Sequence, residues 1–218
     1  MTTDIETYLN SLSNDILSLN IYMHISKCIT SLPDLTRFKN LEILNCSHNE
    51  LTSLPDLTIF KNLQILNCYN NKLTSLPSLP QNIKILHCSY NKLTSLPDLT
   101  RFNNLKTLYC DYNQLTFLPS LPQNLEGLYC SCNELTSFPN LPQNLKTLHC
   151  FSNHVYKIVG SNNFFQIKQN IQILNNFRHL YYCFKFKKQL REWLWENVRE
   201  PKIIKILITF TTNSFPII

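Results

Sequence analysis

The 218-residue chain contains no alanine, and its only glycines are Gly127 and Gly160. Two glycines cannot build a glycine-rich loop that cradles phosphate, and neither a G-x-S-x-G nor an H-E-x-x-H motif is present. Those absences argue against an enzyme and predict no cofactor. No apolar run reaches membrane-spanning length; the apolar stretch 203–210 is short and is broken by Lys205. Residues 1–12 lack a basic segment and a continuous apolar segment, so no signal peptide is expected. Missing alanine beside abundant Asn, Ile, Lys, Tyr and Phe points to an AT-rich genome. Eleven prolines persist despite GC-rich codons, mostly at one recurring position, which implies a structural role for them.

What the chain repeats is a single phrase, L-x-x-L-x-C-x-x-N-x-L, present six times and usually continued by x-x-L-P. The first copy runs through Leu41, Leu44, Cys46, Asn49, Leu51, Leu54 and Pro55. Its asparagine recurs as Asn71, Asn91, Asn113, Asn133 and Asn153, each three residues after a cysteine. A fixed period of 20 to 22 residues means a solenoid, and this consensus is that of the leucine-rich repeat. The predicted fold is an α/β repeat horseshoe. It has a parallel concave sheet, a mostly extended or 3-10 convex side and a C-terminal helical cap. In each copy the Leu-x-x-Leu-x-Cys segment forms a strand with those three side chains inward. The asparagine then turns the chain, and its amide bonds the backbone of adjacent turns, forming a structural ladder of Asn49, Asn71, Asn91, Asn113, Asn133 and Asn153. Proline fixes φ and removes a donor, which favours an extended convex side. Longer copies read L-P-D-L-T-x-F. Their two extra residues allow one helical turn capped by Asp98 or Thr100, with Phe38, Phe60 and Phe102 beneath it.

Four segments are expected. Residues 1–40 form an N-terminal cap with a degenerate repeat in which His24 replaces the cysteine and Lys27 the asparagine, preceded by a short helix near residues 3–12. Residues 41–156 are the repeats. Residues 157–202 form a basic helical cap, read as two helices, 164–174 and 177–198, ended by Pro201. Residues 203–218 are an apolar tail without an assigned role. Charge follows this division. Residues 1–160 balance eleven cations against eleven acids, whereas 161–218 hold nine against three, so the net +6 resides in the tail.

Nine cysteines could suggest a disulfide scaffold, but six occupy one inward repeat position and are expected to be buried free thiols. Reduced thiols predict an intracellular setting. His48, His87 and His149 are spread over separate repeats, and Cys130 and Cys132 point to opposite sides, so no metal site is expected.

The concave face is the first candidate for binding. Outward strand positions hold His87, Tyr109, Tyr129 and His149; just beyond lie Tyr69, Asp111 and Phe151, then His48, Tyr90 and Tyr112. Tyrosine and histidine suit an interface. The same rings could instead ladder along the sheet and only stabilise it. The second candidate is the basic helix: Lys185, Lys187, Lys188 and Arg191, interleaved with aromatics, could touch nucleic acid or an anionic membrane. A solvated face of a capping helix explains those residues too, and is the reading preferred here.

The L-P-x-L-P-x-N-L pattern resembles the short repeats of bacterial type III effectors. Those effectors join their repeats to a ubiquitin-ligase domain, for which the roughly 60 residues after the repeats are too few. The N-C-x-x-N-x-L-T-S-L-P copies, with a tail such as Trp193-Leu194-Trp195-Glu196-Asn197-Val198-Arg199-Glu200-Pro201, resemble the leucine-rich-repeat proteins of amoeba-infecting giant DNA viruses. That resemblance implies the fold and no particular partner. The expectation is a monomeric, non-catalytic module that binds a host or viral protein on its concave face, without metal or cofactor.

Overall fold

The computed structural model describes residues 4–22, 28–161 and 163–197, with the side chains of 180, 183, 184, 186 and 188–197 left outside the description. A short helix α1 (Asp4–Asn10) precedes seven strands: β1 (Ser18–Asn20), β2 (Ile43–Asn45), β3 (Ile65–Asn67), β4 (Ile85–His87), β5 (Thr107–Tyr109), β6 (Gly127–Tyr129) and β7 (Thr147–His149). They pair in parallel, in chain order, into one sheet. The register stacks identical repeat positions: Leu44 on Leu66, Leu66 on Leu86, Leu86 on Leu108. Neighbours across the sheet are therefore neighbours in repeat position, and any residue type that recurs becomes a column.

The inward columns are the core. Leu41, Leu44 and Leu51 and their equivalents are buried, and so are all six ladder cysteines. Phe38, Phe60 and Phe102 are buried in the longer copies, as expected. The convex side uses tight three-residue turns, with Phe38 N donating to Leu35 O at 3.0 Å and Leu105 N to Phe102 O at 3.0 Å. In the longer copies a single i→i+3 turn forms, Phe102 N donating to Leu99 O at 3.1 Å, and it does not extend into a helix. Asp98 Oδ1 stands at its start and accepts from Thr100 N at 2.9 Å and Thr100 Oγ1 at 2.7 Å. A second asparagine series lies on the convex side. Asn82 Nδ2 donates to Lys61 O at 2.8 Å and Asn124 Nδ2 to Asn103 O at 2.9 Å.

The N-terminal register differs from the expected one by three residues. Leu19 pairs with Leu44 and Asn20 with Asn45, so Ile21, which is buried, takes the cysteine position rather than His24. The apolar spacing fits either register, and only pairing with β2 decides between them. His24 and Lys27 lie outside the described residues. Ile5 and Leu9 of α1 join the core, and the Arg37 guanidinium donates to the carbonyls of Leu9 and Leu12 at the end of that helix.

After β7 comes a helical turn not anticipated from sequence, α2 (Tyr156–Val159). The two expected helices are one, α3 (Phe164–Asn197). The gap left at Asn175-Asn176 is helical because neither residue removes a backbone donor, and asparagine costs a helix only about 0.5–0.7 kcal/mol. Val155, Val159, Ile167 and Ile171 are buried in the core cluster, and Lys168 Nζ donates to Pro142 O at 3.3 Å and Gln143 O at 3.2 Å. A first compact unit ends at Asn175, and a second begins at Asn176. In the second, Phe177, Tyr181 and Tyr182 are exposed. The expected helix end at Val198 and Pro201, and the tail 203–218, lie outside the described residues.

Candidate functional site: the concave aromatic face

Strand geometry alternates side chains between faces, so the residue between the buried leucine and the buried cysteine points outward. That column is Asn45, Asn67, His87, Tyr109, Tyr129 and His149. Two residues later stands a column alternating small and large: Ser47, Tyr69, Ser89, Asp111, Ser131, Phe151. The next column, His48, Asn70, Tyr90, Tyr112, Cys132 and Ser152, has φ between 52° and 56° throughout, although none is glycine. Left-handed backbone costs such residues about 1–2 kcal/mol each. Here it is held from both sides by backbone bonds to the following repeat: Tyr90 N donates to Asp111 O at 2.9 Å and Asn91 N to Tyr112 O at 3.2 Å.

The asparagines close these turns. Asn113 Nδ2 donates to Cys88 O at 3.1 Å, Cys110 O at 3.2 Å and Asp111 O at 3.2 Å, while its Oδ1 accepts from Leu93 N at 2.9 Å. Asn71, Asn91, Asn133 and Asn153 repeat the pattern, and Asn49 makes it against Ile21 O and Ile29 N. One side chain thus satisfies four buried backbone groups in two adjacent repeats.

On this frame the rings form a continuous lattice. Tyr22 meets His48 at 5.0 Å between centroids, His48 meets Tyr69 at 4.9 Å, and Tyr69 meets His87 at 5.0 Å. His87 meets Tyr109 at 4.8 Å, Tyr109 stacks on Tyr129 at 4.5 Å, and Tyr129 meets His149 at 4.7 Å. Phe151 and Tyr156 finish the row at 5.9 and 5.4 Å. A branch runs from Tyr69 to Tyr90 at 5.2 Å and on to Tyr112, stacked at 4.1 Å. All nine rings singled out from sequence are in this one array. Cross-strand stacking is therefore present, and the array is still open to solvent: Tyr90 is 41% exposed and Tyr112 48%.

Asp111, the tenth candidate, lies within the array with its carboxylate engaged. Ser89 Oγ donates to Oδ2 at 3.3 Å and Ser131 N to Oδ1 at 2.8 Å. Partial burial holds His87 below its usual pKa, with Asp111 opposing. Hydrogen bonds to Cys132 and then Tyr90 push Tyr112 up to about 12. Burial foremost, then Tyr129 and Asp111, raises Tyr109. Burial pushes the Cys46 thiol up to about 12 and holds Cys68, Cys88, Cys110 and Cys130 well above the ordinary value of 9.0, with neighbouring thiols adding to the effect.

Sequence reasoning missed three parts of the site. Tyr22 and Tyr156 extend the lattice at each end; Tyr22 was hidden by the wrong N-terminal register. The third is Gly127. A Cβ there would stand 3.2 Å from Thr107 Cγ2 and 3.3 Å from Tyr129 Cε2, so the glycine leaves room for the Tyr129 ring to lie against the strand. Glycine at a strand position marks such a close approach, and that was the available signal.

No group of three or more potential metal ligands exists among the described residues, and no described helix is long and apolar enough to cross a membrane. In the basic segment Lys185 and Lys187 are exposed, and the Lys185 ammonium lies 5.9 Å from the Tyr181 ring centroid. The side chains of Lys188 and Arg191 lie outside the description.

A sequence profile of the family described as Leucine Rich repeats (2 copies) matches residues 39–81 and 81–123. Among solved structures, YopM from Yersinia enterocolitica WA-314 is 36% identical with a TM-score of 0.59, over 63% of this chain and 29% of that one. YopM from Yersinia pestis, described as a leucine-rich effector protein, is 32% identical with a TM-score of 0.60, over 66% of this chain and 40% of that one. A Shigella effector leucine-rich-repeat domain is 32% identical with a TM-score of 0.49, over 63% and 57%. This chain thus spans well under half the length of either YopM structure. A search among curated proteins found no match. The repeat period, the parallel ladder of seven strands and these likenesses make the chain a leucine-rich-repeat solenoid, similar in structure to the YopM effectors.

Proposed function

We propose that the chain is a non-catalytic module that binds a protein partner on its concave face. The observation that carries this reading is the open aromatic lattice running from Tyr22 to Tyr156. Buried asparagines and left-handed turns hold the face in advance of binding, which lowers the ordering cost of association. Tyrosines supply large contact area with few torsions, and such residues dominate binding energy. Leucine-rich-repeat folds are typical protein-interaction modules, and the effector description of the Yersinia pestis relative points the same way. The giant-virus likeness of the repeats and of residues 193–201 supports a viral factor acting, as a monomer, inside the host cell. Buried free thiols fit that reducing setting. The test is an affinity pull-down from amoebal lysate with wild type and Tyr109→Ala/Tyr129→Ala. Loss of a partner by a variant with unchanged circular dichroism is expected, at about 2 kcal/mol or more for each hot-spot tyrosine. An equally retained partner would refute the concave-face assignment.

A second reading has one observation in its favour: Phe177, Tyr181 and Tyr182 stand exposed beside exposed Lys185 and Lys187, past the unit that closes the repeats. Binding of nucleic acid or an anionic membrane there would fall steeply with salt. It would vanish in a variant with Lys185, Lys187, Lys188 and Arg191 changed to Gln.

A further inference from the structure

The lattice constrains what can bind it. The inner rings lie 4.1–5.2 Å from one another, Tyr90 on Tyr112 and Tyr109 on Tyr129 stacked and the others tilted or edge-on, so much of the ring area is already spent on ring–ring contact. A partner meets the remaining ring edges, which carry the positive end of the quadrupole, and the polar tips.

Hydrogen-bond accounting points the same way. The amide oxygens of the outward column are already engaged. Asn45 Oδ1 accepts from Ser47 N at 3.1 Å and Ser47 Oγ at 2.7 Å, and Asn67 Oδ1 accepts from Tyr69 N at 3.1 Å. The Asp111 carboxylate is taken by Ser89 and Ser131. Among the described residues the amide nitrogens of Asn45 and Asn67 have no internal acceptor, so both can donate to a partner, and the Tyr129 hydroxyl can donate or accept.

Charge adds to this. At the strand borders Glu50 pairs with Lys72 at 3.0 Å, and Glu126 pairs with Lys106 at 2.9 Å and Lys146 at 2.6 Å. Two exposed cations, Lys84 and Lys92, flank β4 in the middle repeat without an ion pair among the described residues. Glu42 and Glu134, border acids also without an ion pair among the described residues, lie in repeats to either side.

We infer that the concave face receives an acidic, extended polypeptide segment laid across the strands, its carboxylates centred on Lys84 and Lys92 and its carbonyls meeting the Asn45, Asn67 and Tyr129 donors. The inference rests on the concave face being the binding surface. Seven strands about 4.8 Å apart span the length of about nine extended residues.

The full chain is titrated by fluorescence anisotropy with a labelled alternating Glu/Ser peptide of about nine residues, its Gln/Ser counterpart and an oligothymidylate of equal length. Saturable binding of the Glu/Ser peptide, at least about tenfold tighter than its neutral counterpart, is expected. Lys84→Gln/Lys92→Gln should remove most of that preference, and Tyr129→Phe, which keeps the ring and deletes the donor, should weaken binding about fivefold. No binding by the Glu/Ser peptide, equal binding by the Gln/Ser peptide, or tighter binding by the oligonucleotide overturns the inference. The broader reading fails separately. A pull-down partner lost in Tyr109→Ala/Tyr129→Ala but indifferent to Lys84→Gln/Lys92→Gln leaves the concave face standing and removes the acidic class; a partner indifferent to both removes both.

Discussion

Raising the pH should unfold this protein through its cysteine column. Six thiols, Cys46, Cys68, Cys88, Cys110, Cys130 and Cys150, are held protonated by burial above the ordinary value of 9.0, with Cys46 at about 12 and Cys150 at about 11. Unfolding returns each to its ordinary value, so between these limits the unfolded state has released protons that the folded state retains. A raised folded-state pKa contributes stability that is complete below the unfolded value and is lost as pH rises toward the folded one. Each thiol that stays protonated therefore costs on the order of 1 kcal/mol of stability at pH 10, and the six together several kcal/mol. The raised Tyr109 and Tyr112 act in the same sense. A total stability of about 5–15 kcal/mol does not survive that loss by much. Urea unfolding under reductant and argon should show near-constant stability from about pH 7 to about 8 and a steep fall above about 9, with the lowered His87 removing some stability below about 6.5. In Cys88→Ala/Cys110→Ala the fall should be shallower by about one third, whatever the cost of the cavities. A slope equal to wild type would assign the alkaline loss to lysines and tyrosines and refute the argument.

Thiol labelling offers a second check. In a Cys183→Ser background the exposed Cys28 and the partly exposed Cys132 should react with a disulfide reagent in the native protein, whereas the ladder thiols should react only as fast as the chain unfolds. Asn113→Ala strips an acceptor from Leu93 N and a donor from three carbonyls, so a loss of about 1–3 kcal/mol is expected in urea titration; a wild-type midpoint would show that water replaces the side chain. Gly127→Ala should displace the Tyr129 ring and cost about 1 kcal/mol, visible as a changed near-ultraviolet circular dichroism spectrum, and Thr107→Ser should relieve part of the cost. An unchanged spectrum would mean that the ring does not depend on the glycine.

Period and inward residue type were legible because the solenoid makes them local. A strand followed by a turn at fixed spacing allows one stacking register for Leu44, Cys46 and Asn49, and the six copies confirm one another. Where the copies stop, local pattern gave less guidance. Leu19 and Tyr22 fit the leucine spacing as well as Ile16 and Leu19 do, and pairing with β2 was needed to choose. The Asn175-Asn176 pair looked like a break because helix continuity depends on backbone bonding that side-chain pattern only hints at.

The concave site divides the same way. Which residues face outward followed from a two-residue alternation, so the tyrosines and histidines could be named from sequence alone. Whether they would stand apart as contacts or stack on one another depended on strand spacing and rotamer, and those are set only when the repeats pack. The sequence by itself determined the columns, because repetition places like on like. Tertiary structure decided what the columns do: it set the rings against one another and engaged the Asp111 and Asn45 oxygens internally, since only in the stacked solenoid does each repeat satisfy the groups of its neighbour.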